Sequence, residues 1–100
     1  MIRDTEIMDM IAKVMTRNAP RLRGHRVFLF GSRATGNAGS HSDFDIGVMG
    51  DEPLPLEDFY AIEDQLDELP TLHKIDWVDF NRVSSRFRER AMQQIEVIHE

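Results

Sequence analysis

Phe30-Gly31-Ser32-Arg33-Ala34-Thr35-Gly36, followed by Ser42-Asp43-Phe44-Asp45, is the stretch whose reading decides the fold. Val27-Phe28-Leu29-Phe30 runs into it, four apolar residues in a row that read as a strand buried on both faces. A glycine at the strand's end lets the main chain come close to a ligand, because no Cβ blocks the approach. A serine opening the next turn leaves backbone N–H groups free for an anion. Two aspartates at i and i+2 on a strand point to the same face. One end of the segment therefore suits phosphate and the other a divalent cation. Together they suit a metal–nucleotide complex.

The flanking sequence supplies the scaffold. Ile7, Met10, Ile11 and Val14 recur at helical spacing and predict a helix over 3–19, with Asn18 near its end and Pro20 stopping it. Residues 21–26 read as a short basic connection. Residues 32–35 read as one or two helical turns closed by Gly36, and 37–41 as a polar loop. A second strand over 43–49 sets Phe44, Ile46 and Val48 on one face and Asp43, Asp45 and Gly47 on the other. Gly50, Asp51, Pro53 and Pro55 break the chain before a helix over 56–69, with Phe59, Ile62, Leu66 and Leu69 as its apolar stripe. Residues 74–80 read as a third strand. Ser84-Ser85 caps a last helix reaching about His99, with Phe87, Ala91, Ile95 and Ile98 turned inward. The expected fold class is α/β (α+β): a mixed sheet of three strands or slightly more, packed with about four helices, in one domain over 1–100.

Composition narrows the function. The chain of 100 residues is 41% hydrophobic and 30% charged, which fits one globular core of modest size. Its net charge of −6 argues against broad binding to nucleic-acid backbones and against a template-directed polymerase. With no cysteine, disulfides and thiolate metal sites are excluded, and a cytoplasmic setting is expected. No apolar run approaches the roughly 20 residues needed to span a membrane, and Met1-Ile2-Arg3-Asp4 lacks a signal-peptide core. The four histidines are scattered, so no zinc site is expected; His41 lies beside the motif, where a solvated loop residue is the simpler reading. Glu63-Asp64 and Asp67-Glu68 read as a water-facing helix surface, and Trp77 as core. No glycine-lysine-serine/threonine run marks a Walker loop.

The combined motif resembles the nucleotidyltransferase superfamily that includes DNA polymerase beta. Its signature of Gly-Ser, a spacer and Asp-x-Asp stands here as Gly31-Ser32 and Asp43-Phe44-Asp45. The resemblance is nearer to the minimal nucleotidyltransferases found beside helical HEPN proteins as antitoxin and toxin, with Phe30 to Ala34, Gly36 and Ser42 to Asp45 matching their usual run. It implies an enzyme using Mg²⁺ and ATP that transfers AMP to a tyrosine hydroxyl of a HEPN partner. It implies that Asp43 and Asp45 hold metal, with a third carboxylate from a later strand. Lys74-Ile75-Asp76-Trp77-Val78-Asp79-Phe80 offers two acids of opposite parity, and alternation does not choose between them, since both strand faces carry apolar residues. The resemblance favours Asp76, as catalytic and metal residue, over Asp79. Gly31, Ser32, Arg33 and Ser42 are the candidates for seating the nucleotide. For Arg33 a solvated or salt-bridged role is an equal reading, and for Ser42 a local turn bond is the favoured one.

The sequence leaves little material for an acceptor site, so another chain is expected to supply the acceptor or close the cleft, through hetero- or homo-oligomers. Neither nucleic acid nor membrane is expected as a partner. Two other readings stand beside this one. One is a module that neutralises its partner by contact alone. The other is a transferase acting on small molecules of the aminoglycoside type.

Overall fold

Val27, Phe28, Leu29 and Phe30 are all buried, so the strand they form is covered on both faces. In the computed structural model, which describes residues 3–39 and 42–100, that strand is β1 (His25–Phe30). β2 (Phe44–Gly50) pairs with β1 antiparallel, and β3 (Ile75–Asp79) pairs with β2 in parallel. β4 (Glu96–His99) pairs antiparallel with the other side of β1, giving the order β3-β2-β1-β4. A parallel pair needs a crossover. Here α3 (Leu56–Asp67) lies in the connection between β2 and β3.

One sheet face is roofed by two helices. α1 (Asp4–Arg17) contributes Ile7, Ile11, Val14 and Met15, and α3 contributes Ile62 and Leu66. They meet Val27, Leu29, Phe44, Ile46, Val48 and Trp77 from the strands. Trp77 stacks on Phe59 with ring centroids 5.5 Å apart and donates its indole N–H to the Phe59 carbonyl at 3.0 Å. It is a core residue, as the sequence suggests. The opposite face is built on Phe28, Phe30 and Phe80, with Val78, Ala91, Met92 and Ile95 packed against them. Gly47 sits between two of these rings: a Cβ there would stand 2.6 Å from Phe28 and 2.7 Å from Phe80. Its bare backbone lets the rings close over the strand, edge to face at 4.8 Å.

The last helix differs from expectation. α4 (Ser85–Ala91) is capped as predicted, with the Ser84 hydroxyl accepting from the Phe87 N–H, but it stops at Ala91. Residues 96–99 form a fourth strand. Ile95 and Ile98 are three apart, which on a helix would place them on one face. They pack instead into the two different clusters on opposite sides of the sheet, as odd spacing along an extended segment requires. The open side of β1 would otherwise expose unpaired N–H and C=O groups beside an apolar run, and β4 pairs with them.

Smaller differences lie at element ends. α1 ends at Arg17, where Asn18 caps it and donates from its side chain to Val14 and to Gln65 of α3. A 3₁₀ turn (Ala19–Leu22) occupies part of the expected basic connection, because Leu22 is drawn into the core. β1 begins at His25, α3 ends at Asp67 and β3 begins at Ile75. α2 (Ser32–Thr35) is one turn, closed by Gly36 in the left-handed conformation. Ser40 and His41 of the predicted loop lie outside the described residues. Among the described residues, no helix is long and apolar enough to cross a membrane.

Candidate active site

Asp45 of β2 and Asp76 of β3 are register partners across the parallel pair. Parity puts both on the phenylalanine-lined face, Asp45 level with Phe30, and the charge of Asp76 acts on Asp45. Asp43 lies exposed just before β2 begins, close enough to act on Asp45 through space. Asp79, the competing acid, points the other way. Its carboxylate accepts from the N–H groups of Leu54 and Asn81, both at 2.9 Å, and pairs with Arg82 at 3.4 Å. It is 4% exposed and fully engaged in holding the segment after β2 against β3. The structure thus brings Asp45 and Asp76 together and takes Asp79 out of the cleft.

Gly31 lies directly against this pair. Its φ of +76° belongs to the region that favours glycine, and a Cβ there would collide with the Asp45 carboxylate. The glycine–serine turn and the acids are therefore one site and not two neighbouring features. Beside Gly31 opens a cavity of about 520 Å³ lined by Phe30, Thr35, Phe87, Arg90 and Gln94. That volume falls within the range of small-molecule pockets, roughly 300–1,000 Å³.

Arg33 does not face the cavity. Its side chain is 7% exposed and its guanidinium is taken up on every side. It donates to the Ser42 carbonyl at 2.7 and 3.1 Å, to the Asp43 carbonyl at 3.2 Å and to the Asp4 carboxylate at 2.7 Å. Its plane lies 3.9 Å over the Phe44 ring. The arginine fixes the entry of the acid-bearing strand to α2 and to the first turn of α1. Ser42 forms the local turn bond, its hydroxyl accepting from the Gly39 N–H at 2.9 Å.

Crowding shows in the protonation of Asp45. Burial first, then the charge and hydrogen bond of Asp76, then the charge of Asp43, push its pKa up to about 6. Lys74 opposes this: its ammonium stands 3.3 Å from Asp76 Oδ1. The sequence reading passed over Lys74. The available signal was its parity, since i and i+2 on a strand share a face with Asp76. Among the described residues, no three His, Asp or Glu side chains are gathered tightly enough to enclose a metal ion. The donor chemistry nevertheless fits a hard divalent cation. It consists of carboxylate oxygens whose mutual repulsion such an ion would relieve, and magnesium completes its shell with water and substrate phosphate.

The family model for polymerase beta-type nucleotidyltransferases matches residues 11–100. A probable protein adenylyltransferase MntA of Haemophilus influenzae is 33% identical over 76 residues, spanning 76% of this chain and 67% of that protein. A toxin–antitoxin crystal structure with AMP-PNP superposes with a TM-score of 0.63 at 25% identity, covering 91% of this chain and 71% of that one. The fold also matches, with a TM-score of 0.63 at 22% identity over 96% of this chain and 71% of the other, a structure of tri-AMPylated Shewanella oneidensis HEPN toxin in complex with MNT antitoxin. With Gly31 packed on Asp45, Asp45 beside Asp76 and the family model running through both, the chain belongs to the polymerase beta-type nucleotidyltransferases, among their minimal, MntA-like members.

Proposed function

We propose that this chain is a Mg²⁺-dependent protein adenylyltransferase, the antitoxin of a HEPN/MNT pair, transferring AMP from ATP to a tyrosine hydroxyl of its partner toxin. The observation that carries the reading is the register of Asp45 with Asp76 beside the bare backbone of Gly31. Asp43, Asp45 and Asp76 would hold the metal, which when bound supplies positive charge to the triphosphate and lowers the pKa of the attacking hydroxyl. Gly31 and Ser32 seat the triphosphate against the acids. The cavity beside Gly31 leaves room for the rest of the nucleotide. The hydroxyl oxygen forms a bond to the α-phosphorus as the bond from that phosphorus to the bridging oxygen breaks and pyrophosphate leaves. Asp76 completes the site and takes the hydroxyl proton. Arg33, engaged with main-chain oxygens and Asp4, holds the strand entry that carries Asp43.

The test is incubation with ATP labelled at the α-phosphate and the HEPN protein encoded nearby. Label is expected on a toxin tyrosine, dependent on divalent cation and lost in Asp43→Asn and Asp45→Asn. An unlabelled toxin that is nevertheless inhibited equally by wild type and Asp43→Asn would replace this reading with neutralisation by contact.

A further inference from the structure

We propose that Lys74 is the resident counter-charge of the acid cluster and weakens, by occupying it, the site's hold on a divalent cation. The inference rests on the reading of Asp43, Asp45 and Asp76 as a cation site. Lys74 lies immediately before β3, and its carbonyl accepts the Phe44 N–H at 2.9 Å, which fixes its backbone to the acid-bearing strand. Two residues on, Asp76 shares its face, and the ammonium reaches Asp76 Oδ1 at 3.3 Å. Among the described residues, no other side-chain cation pairs with Asp43, Asp45 or Asp76; Arg33 spends its donors on carbonyls and on Asp4. An acid cluster without metal is self-repelling, and a cation held on a flexible stem offsets that repulsion. The side chain is 71% exposed, so it can leave at little cost when a dication arrives. While it stays, ammonium and dication compete for the same oxygens and repel one another.

Mn²⁺ binding to the nucleotide-free chain, followed by electron paramagnetic resonance, tests this. Lys74→Met and Lys74→Gln are expected to bind Mn²⁺ roughly fivefold more tightly than wild type, and Lys74→Arg within about twofold of it. Without metal, the two neutral variants should melt below wild type at pH 7, with the gap closing at saturating Mn²⁺. Unchanged or weaker Mn²⁺ binding in both neutral variants, alongside a wild type that binds, overturns the role of Lys74 and leaves the site reading intact. A wild type that binds no Mn²⁺ overturns the site reading, and this inference falls with it. Weaker binding of nucleotide with unchanged Mn²⁺ affinity would make Lys74 a phosphate contact instead, and equally overturns the proposal.

Discussion

Asp76 and Asp79 stand three residues apart on one strand and have opposite fates. Asp79 turns toward the helix-covered layer, where two N–H donors and Arg82 meet its charge. Asp76 turns toward Asp45, a second acid, with, among the described residues, a solvent-exposed lysine alone to offset them. The protein could have satisfied both, and the difference teaches where to look for chemistry. A carboxylate whose bonds are complete is structure. A carboxylate set against its own kind is an arrangement that awaits a cation.

The contrast breaks most sharply by substitution at the two positions. Under the proposed function, Asp76→Asn should lose label transfer by about a thousandfold with little loss of stability, because it removes the proposed ligand and base and leaves the bonds that hold the core alone. Asp79→Ala should do the reverse. It strands a buried and a half-buried N–H group and is expected to cost about 2–3 kcal/mol in urea unfolding, with transfer per folded molecule nearly unchanged. A variant pair that failed together in both assays would erase the distinction.

Gly31→Ala falls between these extremes. It strains a positive-φ position and pushes the Asp45 carboxylate aside, so unfolding should become easier by about 1–2 kcal/mol and transfer should fall about a hundredfold. Gly47→Ala, on the same face, runs first into the Phe28 and Phe80 rings; it should destabilise comparably while sparing transfer per folded molecule.

The gentlest test uses pH. The folded pKa of Asp45, about 6, lies above its ordinary value of 3.8, so the native state binds this proton more tightly than the unfolded chain does. Its contribution to stability is present below pH 3.8 and is lost as pH rises through 6. Asp45→Asn keeps the shape and discards the charge. Metal-free at pH 7, it should be more stable than wild type by about 1 kcal/mol once the group's exposure is allowed for, while being inactive. The gap should shrink toward pH 4, as thermal melts across that range would register.

Much of this was legible in the residues. The apolar run of β1, the parity of Phe44, Asp45, Ile46 and Gly47, and the Ser84 cap each have a local cause, and local causes can be read along the chain. β4 was hidden because Ile95 and Ile98 fit a helical stripe and an extended segment equally well; only the open side of β1 decides between them, and that is a tertiary fact. The same holds for Arg33. Along the chain its charge fits phosphate or a carboxylate equally; the carbonyls and aromatic ring of residues 42–44 and the Asp4 carboxylate that surround it come from distant parts of the chain.

One indole serves the whole chain. Trp77 follows Asp76 directly, yet alternation sends it through the sheet to stack on Phe59. Its fluorescence therefore reports the integrity of the helix-roofed layer. The chain thus carries an internal gauge of folding one residue from Asp76, turned to the other face of the sheet.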